Sequence, residues 1–413
     1  MPLTPPNLSA DELNLSFTEA CRAQTEGRLE EAREQYLLLL GYLPESSLLH
    51  YNIGLVYYGL QDFSQALREF SLALTSGPEE VDTLFNLALC QKKTGDCRAA
   101  ITTYRQVLAT TPDHADCWYN LAGCYRDIHD DEQAMSCYHR VLAIDAGYLP
   151  AVNNLAYLYH RTDNVEQAAV YYRQLLAVRP EDDSARYMLA ALLGTPLDHA
   201  PDSYIRNFFN TYAEGFEHSL VVELEYDNPR KLYECFRNCS GHKATYEHGL
   251  DLGCGTGLSG IPFMGAITVL DGVDLSRNML AQAARKDCYA RLYPDSISHH
   301  LAATADTYDF FLATDVFIYV GDLLELFTAV QAIARPAALF CFSTENLGDG
   351  GYALRKTGRF AYSRAYVHSI AAATGWTVLA LEETRLRKER DSWIAGDLWI
   401  LRLDALPGAP PSH

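Results

Sequence analysis

Residues 250–261 read LDLGCGTGLSGI. A carboxylate, Asp251, lies near the end of an apolar run, and Gly253, Gly255 and Gly257 alternate behind it. Such glycine-rich turns let a ligand approach the backbone closely. They hold nicotinamide dinucleotides, S-adenosylmethionine and mononucleotides alike. Two features separate these ligands. The dinucleotide fingerprint spaces its glycines G-x-G-x-x-G, the third permitting close helix–strand packing. Here the third glycine arrives one residue early. An acidic group beside the turn would also repel a pyrophosphate, whereas it suits the ammonium of a methionine moiety. Asp274 ends the next apolar run, ITVLDGVDLS. Its distance from the turn suits a carboxylate that accepts both ribose hydroxyls, a role shared with dinucleotide enzymes.

Together, LDLGCGTG and GVDLSRNML resemble the first two motifs of class I S-adenosylmethionine-dependent methyltransferases. The resemblance implies S-adenosylmethionine as cofactor. It assigns cofactor contacts to Asp251, Gly253, Cys254, Gly255, Gly257, Asp274, Leu275 and Met279. Ordinary core packing is the alternative for Met279. Asp295, in YARLYPDSISHHL, stands where this family binds the adenine amino group, although aspartate after proline is also a common turn residue. Asp315 and Glu345 fall at the ends of the apolar runs YDFFLA and AALFCFSTEN. Ligands bind at the carboxyl ends of strands in open α/β sheets. Both residues are therefore candidate catalytic groups, as bases if the nucleophile needs deprotonation. Asp315 is equally placed to touch the methionine ammonium, orient substrate or cap a helix.

Two flanking segments belong to the same reading. SYIRNFFNTYAEGFEHSLVVELEY (203–226) carries Phe208, Tyr212 and Phe216 at helical spacing. It resembles segments that close over the cofactor in ubiquinone-type and malonyl-carrier-protein methyltransferases. Tyr212 joins the cofactor contacts on that basis, because aromatic faces suit a sulfonium cation; a plain amphipathic helix on the sheet is the alternative. GDGGYALRKTGRFAYSRAY (348–366) is long for a connection, and such loops shape binding pockets. Tyr352, Arg359 and Tyr362 are its candidate acceptor contacts.

Positioning these groups requires strands at 248–252, 268–273, 308–313, 337–343, 376–382 and 396–403, with helices at 276–287, 322–334 and 363–374 between them. Alternation of this kind predicts a mainly parallel sheet with helices on both faces. The last two strands lack a helix between them and should pair as an antiparallel edge hairpin.

The first half of the chain repeats every 34 residues. Ala32, Ala66, Ala100, Ala134 and Ala168 share one register; Tyr36, Phe70, Tyr104, Tyr138 and Tyr172 share another; Ala20, Gly54, Ala88, Ala122 and Ala156 share a third. Pro44, Pro78, Pro112 and Pro180 form a fourth, broken by Ala146. Small residues against an aromatic at this period predict stacked helix–turn–helix units, each ended by proline. The registers match the tetratricopeptide repeat. The fold class is then multidomain: an all-α tetratricopeptide-repeat superhelix (13–194, five repeats and a capping helix), a linker (195–203), and an α/β Rossmann-like class I methyltransferase domain (204–405).

Asn52, Asn86, Asn120 and Asn154 occupy the sixth position of four consecutive repeats. In this family that position lines the concave surface, and the array resembles the asparagine ladder of O-GlcNAc transferase repeats. An amide offers one acceptor and two donors, enough to pair with the backbone of an extended peptide. The implied partner is a peptide or protein; a pure scaffold is the alternative. The reading is thus a methyltransferase whose repeats recruit a protein or carrier-bound acceptor. Its rivals are a small-molecule enzyme with repeats for assembly, and a non-catalytic interaction module.

Composition bounds the partners. A net charge of −20 opposes nucleic acid and anionic membranes. No run approaches the ~20 apolar residues that span a bilayer, and the N-terminal residues do not resemble a secretion signal. Eleven cysteines without a CxxC pair fit reduced thiols in a cytoplasmic protein and no metal site. The accepting atom and the oligomeric state are left open.

Overall fold

The computed structural model describes residues 9–77, 80–213, 215–389 and 392–404, with the side chain of Tyr212 left aside. The chain divides into two compact units, one ending at Leu175 and the other starting at Leu176.

Helix pairs build the first unit: α1 (Ala10–Thr25) with α2 (Leu29–Tyr42), α3 (Ser47–Gly59) with α4 (Phe63–Ser76), α5 (Val81–Lys93) with α6 (Cys97–Thr110), α7 (Ala115–Asp127) with α8 (Asp131–Ile144), and α9 (Leu149–Arg161) with α10 (Val165–Val178). The small and aromatic registers are buried in every repeat. Gly54 gives the reason at one position. A Cβ there would stand 2.7 Å from the Phe70 ring, which fills the groove between α3 and α4. Pro78 lies outside the described residues.

A further 34-residue register sits in the turns. Gly27, Gln61, Gly95, His129 and Asp163 all adopt left-handed backbone, with φ from 60 to 88°. That conformation ends the first helix of each pair, and the following N–H closes back on it, as Asp96 does on the Gln91 carbonyl at 2.8 Å. Asp62, Asp96, Asp130 and Asn164 come next and cap the second helix by accepting from the N–H three residues on. Only two of the five left-handed residues are glycine, so a search for glycine does not find this register.

The second unit opens with α11 (Asp183–Leu193), α12 (Asp202–Tyr212), α13 (Phe216–His218) running into a π turn at Ser219–Glu223, and α14 (Asn228–Asn238). Then follow β1 (Tyr246–Leu252), β2 (Ile267–Val273), α15 (Arg277–Ala283), β3 (Arg291–Tyr293), α16 (Ile297–Ala303), β4 (Tyr308–Ala313), α17 (Leu323–Ile333), β5 (Ala334–Gly348), β6 (Tyr352–Leu354), β7 (Phe360–Ser363), α18 (Arg364–Ala373), β8 (Trp376–Glu389) and β9 (Ser392–Leu403). The main sheet runs β3-β2-β1-β4-β5-β9-β8. Strands β1 to β5 are parallel, β9 is antiparallel to β5, and β8 forms the edge. Alternate residues of β4 enter opposite cores: Phe311 and Ala313 pack with Phe327 and Val330 of α17, while Phe310 and Leu312 pack with Leu232 and Phe236 of α14. Burial on both faces is why the central strands read as unbroken apolar runs.

The strand before Asp295 is poor in sequence and is interrupted by Pro294; accordingly β3 is only three residues long and ends before Pro294. Two features depart from the sequence expectation. The segment 348–366 is largely ordered as the β6–β7 hairpin, which continues β5. Helix α11, expected to cap the repeats, groups with the second unit, where the buried Tyr187 donates its hydroxyl to the Gly358 carbonyl at 2.8 Å. Among the described residues no helix is long and apolar enough to cross a membrane.

The Gly54 contact yields a test. Gly54→Val forces side-chain atoms into the Phe70 ring and should cost about 1–3 kcal/mol. Urea unfolding of the whole chain, followed by circular dichroism, should show a lower first midpoint; an unchanged curve would contradict the packing.

Candidate functional site

The turn after β1 is left-handed at all three alternating glycines, with φ of 69, 54 and 88° at Gly253, Gly255 and Gly257. A Cβ at Gly253 would press on Val316 at 2.8 Å. At Gly255 it would meet nothing within 4 Å, so this stretch of backbone borders open space. Cys254 is buried between them.

Asp251 is fully buried at the end of β1. Its Oδ2 accepts from the Tyr289 hydroxyl at 2.6 Å. Its Oδ1 is buried and has no hydrogen-bond partner among the described residues. Burial pushes this carboxyl up to about 7, the Tyr289 hydrogen bond works against that rise, and the charge of Asp274 adds to it. A buried carboxylate oxygen with no donor is costly unless something supplies one. A ligand ammonium fits that need.

Asp274 lies just beyond β2. Its Oδ2 accepts from Gly255 N–H at 3.0 Å and its Oδ1 from Ser276 N–H at 2.8 Å. Burial raises its carboxyl and those two N–H groups oppose the rise. Each oxygen keeps a lone pair for a further donor, such as a ribose hydroxyl. Leu275 and Asp295 border a cleft of about 610 Å³, shared with Arg206 and Asn210 of α12 and with His299. Asp295 is engaged by His299 Nδ1 at 2.6 Å. Met279 is buried beneath the start of α15. Helix α12 leans on the same end of the sheet, for the Ser276 hydroxyl donates to Asn210 Oδ1 at 2.7 Å. The expected contact of Tyr212 falls on a side chain outside the described residues.

At the ends of β4 and β5 the structure introduces a residue that the sequence reading missed. A bulge in β8 between Arg385 and Arg387 turns both Leu386 and Arg387 inward. Arg387 Nη1 donates to Asp315 Oδ2 at 3.2 Å, and Nη2 donates to Glu345 Oε1. Burial disfavours the guanidinium charge, but the two carboxylates more than offset this and hold it protonated. Asp315 has left-handed backbone at φ 57° and also accepts from the Ser343 hydroxyl at 3.2 Å and from Asn228 Nδ2 at 3.4 Å. The oxygens expected to take a proton are therefore already engaged. This corrects the view of Asp315 and Glu345 as free bases: they form a buried, charge-paired wall. A bulge leaves no mark on hydrophobic periodicity, so the run ETRLRKER gave no signal for Arg387.

The candidate acceptor residues separate. Tyr362 is 1% exposed, and its hydroxyl donates to the Phe317 carbonyl at 2.7 Å. It is a core residue, not an acceptor contact, because strand β7 turns it inward. Arg359 pairs with Glu389 at 3.2 Å, and Tyr352 is half-buried against Tyr366. In the first unit all four ladder asparagines are half-buried. The Nδ2 atoms of Asn52, Asn86 and Asn120 donate to the carbonyls of Leu48, Asp82 and Asp116, at 2.8, 2.8 and 2.9 Å. Asn154 Nδ2 donates to the Tyr119 hydroxyl of the preceding repeat at 3.2 Å. Asn86 Nδ2 also donates to the Tyr51 hydroxyl at 3.5 Å, so Asn52, Asn120 and Asn154 keep a carbonyl oxygen and a second N–H, and Asn86 keeps its carbonyl oxygen.

Removing the central cation tests the wall. Arg387→Met would leave the part-buried Asp315 without a counter-ion and the buried Glu345 with Arg355 alone, at 3.6 Å, which should cost about 3–5 kcal/mol. Urea unfolding of the whole chain measures it; a loss under about 1 kcal/mol would mean that the pair is solvated.

Comparison with known proteins agrees with this architecture. Residues 224–386 match the family model of a methyltransferase domain. Residues 17–81, 92–156 and 149–182 match models of the tetratricopeptide repeat. No curated protein matches the sequence. Among solved structures, "MamA 41-end" from Desulfovibrio magneticus RS-1 is similar at 19% identity, covering 42% of this chain and 99% of that one, with a TM-score of 0.41. Magnesium protoporphyrin IX methyltransferase from Synechocystis PCC 6803, with bound SAH, is similar at 14% identity, covering 49% and 99%, with a TM-score of 0.38. An S-adenosylmethionine-dependent methyltransferase from Clostridium acetobutylicum ATCC 824 is similar at 17% identity, covering 48% and 100%, with a TM-score of 0.36. The chain therefore joins segments similar to tetratricopeptide repeats to a segment, 224–386, similar to a methyltransferase domain.

Proposed function

We propose that the domain methylates a protein, or an acceptor carried on a protein, whose extended segment is held by the asparagine ladder of the repeats. The observation that carries this reading is the ladder itself. Four successive repeats present a side-chain amide at one position, each oriented by an internal hydrogen bond. Pairing of this kind reads backbone rather than side chains. Net hydrogen bonds of roughly 0.5–1.5 kcal/mol each, summed over the ladder, suit reversible recruitment.

S-adenosylmethionine supplies a methyl group already activated on a sulfonium. The chain's own residues then bind, orient and exclude water. Asp251 Oδ1 fits the ammonium, Asp274 the ribose hydroxyls, and Leu275 with Asp295 the adenine side of the cleft. Helix α12, tied to Ser276 through Asn210, shields that side from water. The Asp315–Arg387–Glu345 wall gives the acceptor a rigid, polar face, and alignment of two reactants can supply ~7–11 kcal/mol of barrier lowering. Rigidity suits this task better than proton transfer.

Two measurements test the reading. The whole chain with Asn52, Asn86, Asn120 and Asn154 all changed to alanine should lose at least ~90% of label transfer from labelled donor to lysate proteins. Its affinity for S-adenosylhomocysteine should stay unchanged. Undiminished protein labelling, or label only in small molecules, would contradict recruitment. The second measurement is pH. The ammonium pairs with ionised Asp251, so below about pH 7 binding must displace a proton. Affinity for S-adenosylhomocysteine by calorimetry should fall up to about tenfold per pH unit below 7 and level off above it. Asp251→Asn should bind more weakly at pH 8 and lose the dependence; a flat wild-type profile from pH 5.5 to 8 would sink the Asp251 assignment.

A further inference from the structure

Tyr289 precedes β3 and drew no attention in the sequence, yet three glycines make room for it. A Cβ at Gly257 would lie 3.0 Å from its ring Cε2, one at Gly272 3.1 Å from its Cδ1, and one at Gly260 2.8 Å from its hydroxyl. Gly257 and Gly260 come from the segment after β1, and Gly272 from β2. A side chain at Gly257 or Gly260 would push the ring aside, and one at Gly272 would meet Cys254 Sγ at 2.8 Å and Leu292 at 2.9 Å before the ring. The third glycine of the alternating trio is therefore needed at least as much by Tyr289 as by a ligand.

The ring held in this cradle delivers its hydroxyl to Asp251 Oδ2 at 2.6 Å. The groups facing Asp251 come from several elements: Tyr289 and Cys288 before β3, Asp274 after β2, Cys254 in the glycine turn, and Tyr226 before α14. None of them is a cation, and no ion pair to Asp251 occurs among the described residues. The Tyr289 hydroxyl is the hydrogen-bond donor that this buried carboxylate has, while Oδ1 stays unpartnered.

We propose that Tyr289 is a positioning residue of the methyl-donor site: its hydroxyl fixes the Asp251 carboxylate in the orientation that leaves Oδ1 for the ligand ammonium, and keeps that carboxylate ionised. The inference rests on the reading of Asp251 as the partner of the ammonium. Of the influences on the Asp251 carboxyl, burial and the Asp274 charge raise it, and only the Tyr289 hydrogen bond lowers it. Without the hydroxyl, the neutral acid prevails over a wider pH range.

Tyr289→Phe in the whole chain keeps the ring and removes the hydroxyl. Two readouts apply. Carbon-13 NMR of aspartate-labelled protein should show the Asp251 carboxyl titrating at least about one pH unit higher in the variant. Calorimetry with S-adenosylhomocysteine at pH 7 should show about fivefold weaker binding, the loss expected from such a shift, recovering toward wild type by pH 9. A merely structural role would move neither the titration nor the pH at which binding recovers. Gly260→Ala, which adds a methyl against the hydroxyl, should act in the same direction and serves if Tyr289→Phe fails to fold. An unmoved Asp251 titration, with wild-type binding intact, overturns the role of Tyr289 alone. A wild-type chain that binds no S-adenosylhomocysteine at any pH overturns the donor reading, and the positioning role with it.

Discussion

A carboxylate buried with no cation paired to it among the described residues is the constraint on which the second unit turns. Asp251 is fixed by the end of a central strand, and one of its oxygens is left over after Tyr289 has taken the other. Everything nearby is arranged around that arrangement. The left-handed glycines bend the chain away from it, Asp274 is braced by the turn it faces, and helix α12 closes on the next residues. An apolar ligand would leave the carboxylate unsatisfied, and a pyrophosphate would be repelled. A cationic amino-acid moiety next to a ribose meets each demand.

At the same carboxyl end of the sheet, beyond β4 and β5, the electrostatics are solved internally. Asp315 and Glu345 share Arg387, so this wall carries its own counter-ion. The two regions therefore differ in kind: one leaves a carboxylate oxygen for a ligand, and the other spends its charges on rigidity. That division fits a reaction in which the donor arrives activated and the protein chiefly aligns partners.

Much of the architecture was legible because it rests on period. The 34-residue registers of Ala32 and Tyr36, and the apolar runs of β1, β2, β4 and β5, follow from burial, which selects residue type at each turn or strand. The glycine turn and Asp274 were legible because alternating glycines directly after an apolar run mark a left-handed strand-end turn, and Asp274 ends the next such run. What escaped has equally physical causes. Strand β3 gains order from β2 rather than from its own three residues. Left-handed turns at Gln61, His129 and Asp163 carry no glycine to mark them. Arg387 enters the site through a bulge, and Tyr289 through a cradle of distant glycines; neither is visible without the third dimension. Tyr362 was misread because a connection rich in glycine and aromatics folded into a hairpin.

The most direct measurement is a crystal structure of the whole chain grown with S-adenosylhomocysteine. The account predicts the ligand ammonium within ~3 Å of Asp251 Oδ1, with both ribose hydroxyls on Asp274. Density that places any other group against Asp251, or the ligand away from the glycine turn, would contradict it.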